Sequence, residues 1–149
     1  MRQAWRIVKE KHAATAFNGE GARLYGGRWN SAGTSVVYAS GSKALATLES
    51  LVHLNPPVFF KYVVVPVEFD EALVEEAATL PANWRDQPAP ASTKAIGDLW
   101  VKQTRSAVLE LPSVIIPGEA NFLLNPAHPD FKKIAIGKPE PFSFDSRLL

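Results

Sequence analysis

The chain has 149 residues, 46% of them hydrophobic and 21% charged, which is enough apolar mass for one globular domain over 1–149. A net charge of +1 excludes a field strong enough to drive it onto nucleic acid or an anionic membrane, and the lack of cysteine excludes disulfides, thiolate catalysis and Cys-ligated zinc. His12, His53 and His128 show neither HxxxH nor HExxH spacing, so no metal site is expected.

The first predicted element is a strand over 4–8, in which Arg6 alternates with Trp5 and Ile7 and so points to the face opposite its large neighbours. The opening Met1-Arg2-Gln3-Ala4-Trp5 holds no apolar signal region, so the expected location is the cytoplasm. Residues 19–33 follow, with five glycines in fifteen positions, a density that forbids a long helix or strand. The same loop carries Arg23, Tyr25, Arg28 and Trp29. Planar cations beside aromatic faces suit a phosphorylated, ring-bearing ligand. The alternative is an ordered surface loop whose Trp29 plugs the core. The loop is neither GxGxxG, since Leu24 stands at the third glycine's place, nor a P-loop.

A strand over 35–40 ends near Tyr38, and a helix over 42–54 follows. In that helix Leu45, Leu48 and Val52 define a predicted buried stripe, and Glu49 falls inside it. A carboxylate there must be paired, neutral or turned into a cavity, because bare burial costs several kcal/mol. It is either a structural ion pair, with an arginine or with His53 at i+4, or a site carboxylate on a rigid helix. Tyr38, just before the helix, is placed to share its pocket.

A strand over 59–69 comes next. The apolar stretch around it is broken by Lys61 and by proline and is too short to span a bilayer. A short helix over 71–78, a Pro- and Ala-rich connection near 80–91 and a helix over 93–110 are followed by strands over 113–117 and 132–136. Ser113 stands at the entrance of a proline-flanked strand, without a GxSxG elbow or a base at predictable spacing, so it reads as a hydrogen-bonding residue rather than a nucleophile. Asn125-Pro126 and His128-Pro129 are turn signals, with Asn125 a candidate pocket member. Strands and helices mix without a βαβ rhythm, which predicts an α+β domain.

Taken in order, Arg6, GARLYGGRWN, Val37-Tyr38-Ala39-Ser40, LESLVH with Glu49, LPSVIIP and NFLLNPAHP resemble the RES-domain toxins. The resemblance implies an ADP-ribosyltransferase-like fold, with two small antiparallel or mixed sheets forming an NAD cleft between flanking helices. It also implies an enzyme that consumes NAD as substrate, without a prosthetic group, and releases nicotinamide. Its partner would be a cognate antitoxin with a helix-turn-helix-type, Xre-like domain, forming a hetero-oligomer in a bacterial type II toxin–antitoxin system. Carried over, Arg6 resembles the cation that holds the NAD ribose and phosphates, Tyr38 the aromatic that stacks nicotinamide, and Glu49 the required glutamate. Arg28 and Arg23 match the loop cations and Ser113 the family's serine.

The chemistry agrees with these residue types. Breaking the nicotinamide–ribose bond builds positive charge on the ribose, which a fixed carboxylate stabilises more in the transition state than in the ground state. Nicotinamide leaves neutral from a cationic ring and needs no strong general acid. The acceptor sets the subclass: water or phosphate makes a glycohydrolase or phosphorylase, and a protein side chain makes an ADP-ribosyltransferase. A non-enzymatic nucleotide- or RNA-binding module is the competing class, disfavoured by the near-neutral charge.

Overall fold

The computed structural model describes residues 1–53 and 60–149. Among them are the strands β1 (Arg2–Lys9), β2 (Val37–Ser40), β3 (Tyr62–Phe69), β4 (Val74–Glu76), β5 (Val108–Pro112), β6 (Ala120–Leu124), β7 (Ala135–Ile136) and β8 (Glu140–Phe142). The helices are α1 (Glu20–Tyr25), α2 (Lys43–Leu51) and α3 (Ala91–Lys102). The strands follow the path β4-β5-β6-β2-β1-β3-β7, with β8 also on β3, and every pair is antiparallel except β4–β5. The architecture is α+β.

In place of the two small sheets expected, the strands form one eight-stranded sheet, weakly joined at its centre. β1 stays in register with β3 along its whole length, from Arg2 opposite Phe69 to Lys9 opposite Tyr62. Its pairing with β2, by contrast, consists of Trp5 opposite Ser40. Beyond that pair the ladder between the halves stops, and the sheet is split there. This places the split beside Arg6, Tyr38 and the start of α2.

Local chemistry explains the strands. β3 reads Tyr-Val-Val-Val-Pro-Val-Glu-Phe, a β-branched run buried on both faces. Pro66 is tolerated inside it because β8 pairs with Tyr62–Val64 and β7 with Val67 and Glu68, so the missing N–H falls at the break between them. The Pro66 carbonyl there accepts from Gly137 N at 2.8 Å.

Alternation then builds two cores. Ala4, Val37, Val67, Phe69, Val108, Phe122 and Leu124 meet on one face, and Trp29, Val36, Trp100, Leu109, Leu111 and Leu123 on the other. Tyr38 packs on the second face, which α3 and the glycine-rich loop cover.

Several expected elements differ. The helix begun near 93 ends at Lys102, where Thr104 takes a left-handed φ of 51°, and Val108 onward joins the sheet. Ala107 and Val108 extend the helical spacing, but they are buried by strand pairing and packing instead. The helix over 71–78 is a 3₁₀ turn, Glu71–Leu73, capped by Asp70, after which Val74–Glu76 pairs with β5. The strand over 113–117 is absent: β5 ends at Pro112, and Ser113 opens a turn. Within 132–136, Lys132 and Lys133 belong to a 3₁₀ helix, and Ala135 and Ile136 form β7. In α2, capped by Ser42, the buried residues are Leu45 and Ala46, while Val52 is exposed. Glu49 keeps company with Ala46 at i+3, so it does lie on the inner side. The expected end of that helix at 54 and the start of the strand at 59 lie outside the described residues.

Candidate active site

The glycine-rich loop is not a linker. Asn30, fully buried, donates through Nδ2 to the carbonyls of Ala22, Ser31 and Thr34 at 2.9, 3.2 and 3.1 Å. Its Oδ1 accepts from the Tyr38 hydroxyl at 2.6 Å, and that hydroxyl accepts from Trp29 N at 3.1 Å. α3 clamps the other side: Thr93 Oγ1 donates to Arg28 O at 2.7 Å, Lys94 Nζ to Gly27 O at 2.7 Å, and Asp98 accepts from Ser31 N at 2.8 Å. Trp29 plugs the second core, 3% exposed, beside Trp84. The core-plug reading of Trp29 therefore holds, and the loop is rigidly mounted around Tyr38. Gly27 is required by proximity, since a Cβ there would lie 2.5 Å from the Tyr38 hydroxyl. Burial raises the Tyr38 phenol above its ordinary value, and the charge of Asp98 adds to this.

Glu49 stands at the other end of the same face. Asn121, cross-strand from Ser40, donates through Nδ2 to Glu49 Oε2, and Ser113 Oγ donates to the same oxygen at 3.1 Å. Ser40 Oγ donates to Asn121 Oδ1 at 2.7 Å. Tyr38, Ser40 and Asn121 share one face by strand alternation and register, so the face that carries the Tyr38 ring runs into the carboxylate. No ion pair to Glu49 occurs among the described residues, so of the two sequence readings the structural ion pair is set aside. Ser113, 1% exposed, also accepts from Ile115 N and Ile116 N at 3.1 Å each.

Arg6 lies across the split. Its Cβ lies on the face of Ala4 and Ala39, opposite Trp5, Ser40 and Tyr38, and its guanidinium donates to the main-chain carbonyls of Ala16 and Tyr38 at 2.9 Å each. Burial lowers its pKa to about 10, so it remains a cation at neutral pH. It has no carboxylate partner among the described residues. Arg28 donates through Nη1 to the carbonyls of Trp84 and Asp86 at 3.0 and 2.8 Å. Its charge reaches Tyr38, whose ionisation it favours.

The remaining candidates make local contacts. Arg23 is paired with Glu20 on the exposed side of α1. Asn125 is buried and makes a turn, accepting from Ala127 N at 3.0 Å; it lines a cavity of about 560 Å³ with Ser31–Ser35, Asp98 and Lys102. His128 likewise caps a turn, through Nδ1 and Asp130 N. Sequence reasoning singled out neither Asn30 nor Asn121. For Asn121 the available signal was its period-2 relation to Leu123, on the face opposite Phe122.

The family model described as RES domain matches residues 3–145. The chain is 41% identical to a Prs ADP-ribosylating toxin of Sphingobium sp. (strain YBL2), covering 97% of this chain and 95% of that protein. It is 38% identical to a Toxin Res of Yersinia enterocolitica, covering 97% of each. Its fold matches a chain in the crystal structure of the M. tuberculosis MbcT–MbcA toxin–antitoxin complex with a TM-score of 0.78 at 14% identity, over 95% of this chain and 84% of that one.

Proposed function

The chain belongs to the RES domain family, and from that premise we propose that it is an NAD-consuming toxin of a toxin–antitoxin pair, breaking the nicotinamide–ribose bond. The observation that carries this reading is Glu49: a carboxylate held by two donors on one oxygen, on the sheet face that also bears Tyr38. A carboxylate fixed in this way needs no reorganisation when positive charge develops on the ribose, which makes it an effective electrostatic catalyst. The half-buried Tyr38 offers a ring for nicotinamide, and its hydroxyl is already committed to Asn30, which keeps the ring fixed.

Arg6 and Arg28 supply the cations for the NAD phosphates. Both already donate to backbone carbonyls, which hold the guanidinium planes, and each has further N–H groups for an anion. Arg23, paired with Glu20 on α1, and Asn125, just after β6, are the further candidates for contacts to NAD.

The acceptor divides the activity. The ADP-ribosylating relative supports transfer of ADP-ribose to a protein side chain; water and phosphate are the competing acceptors. The proposed partner is an antitoxin with an Xre-like domain that covers the NAD site. Expressing the chain alone in bacteria should arrest growth with falling NAD, and the adjacent antitoxin should relieve the arrest. Harmless accumulation of folded chain with NAD unchanged would end the toxin reading. Radiolabelled NAD then assigns the acceptor: label in protein, in free ADP-ribose, or in phosphorylated ADP-ribose.

A further inference from the structure

We propose that Asn121 is a positioning residue for Glu49, selecting which carboxylate oxygen meets the substrate; this rests on the reading of Glu49 as the carboxylate that faces the ribosyl cation. The directions of the hydrogen bonds carry the inference. Ser113 Oγ accepts from two backbone N–H groups, so its own proton is aimed at Glu49 Oε2. Asn121 Nδ2 donates to that same oxygen. The Asn121 amide is oriented in turn by Ser40, whose hydroxyl donates to Oδ1. Reversing the amide would set its carbonyl oxygen against the carboxylate and its NH₂ against the Ser40 hydroxyl.

Both donors thus converge on Oε2, and among the described residues none reaches Oε1. Oε1 is the acceptor left for a ribose hydroxyl or for the developing cation. Glu49 rides on the last turn of a nine-residue helix, on a side chain with three rotatable bonds. Asn121 and Ser40 are paired strand residues in the middle of the sheet. The strands therefore supply the rigidity that the helix end lacks, and a misplacement of about 1 Å would cost on the order of 100-fold in rate. Asn121 acts through Glu49 without touching the reacting atoms.

Asn121→Asp tests this, because it keeps the shape and exchanges the donor for a carboxyl that repels Glu49 when ionised. The expected result is a fall in kcat for nicotinamide release of about 10- to 100-fold, with KM for NAD within about twofold. Activity of this variant should climb again as pH is lowered, because a proton taken up between the two facing carboxyls, favoured by their mutual repulsion, restores a donor. Ser40→Ala releases the amide and should lower kcat less, by roughly three- to tenfold, and it tests the same link if the Asp variant fails to fold. A lowered melting temperature with unchanged kcat per folded molecule, in either variant, would make Asn121 structural and overturn the proposal. Glu49→Gln, measured alongside, separates the two claims. If it is inactive while Asn121→Asp turns over at the wild-type rate, positioning falls and the reading of Glu49 stands. If Glu49→Gln is fully active, that reading falls and positioning falls with it.

Discussion

Gly97 and Trp29 are in such close contact that a Cβ on Gly97 would lie 1.8 Å from the Trp29 carbonyl oxygen. The close approach lets Thr93, Lys94 and Asp98 of α3 bond to the backbone of residues 27, 28 and 31. α3 therefore serves less as a catalytic element than as the clamp that fixes the loop around Tyr38.

Gly97→Ala should accordingly destabilise the fold, even though alanine favours helix. Overpacking of this kind costs about 1–3 kcal/mol, and contact with backbone sets it toward the upper end. A denaturant melt would show the loss as a lower midpoint. A stability equal to wild type would mean that α3 and the loop move apart without cost, and that the clamp is not a clamp.

Tyr38→Phe removes the hydroxyl shared by Trp29 N and Asn30 Oδ1 while keeping the ring. Leaving those groups without a partner should cost about 1–3 kcal/mol at neutral pH. Alkaline pH gives a second readout with a definite sign. The buried phenol ionises less readily than the unfolded one, so its contribution is present below about pH 10 and is lost as pH rises above it. The wild type should thus lose more stability than the Phe variant above that pH. Parallel pH–stability curves would show that the hydroxyl is not buried in the way described.

For the cations, Arg6→Lys and Arg28→Lys should each raise KM for NAD, because a point charge reproduces neither the bonds to two carbonyls nor a fork toward phosphate. Nicotinamide mononucleotide, with one phosphate fewer, should be a poorer substrate than NAD. Equal use of the two dinucleotide and mononucleotide substrates, with unchanged kinetics in both variants, would remove these arginines from the site.

How much of this was legible beforehand depends on the range of each interaction. The alternation of Trp5, Arg6 and Ile7 correctly placed Arg6 on the opposite face, and Glu49 stood out because a carboxylate on the inner side of a helix needs a reason. What Glu49 touches was not legible, because Asn121 lies 72 residues away and is brought alongside by strand pairing. The same holds for Arg28, whose carbonyl partner at Trp84 is 56 positions distant. Local pattern misled where tertiary pairing overrode it. Ala107 and Val108 continue the spacing of α3 but serve the sheet, and Val114–Ile116, although β-branched, follow a serine that turns the chain.

The most direct measurement is nicotinamide release from NAD by the purified chain, compared with Glu49→Gln at matched folded concentration. Removing a preorganised charge at the developing cation should lower turnover by at least about 100-fold, with little change in melting temperature, since glutamine still accepts from Asn121 and Ser113. Wild-type turnover in the Gln variant, or no nicotinamide release by the wild-type chain under any acceptor, would contradict the account.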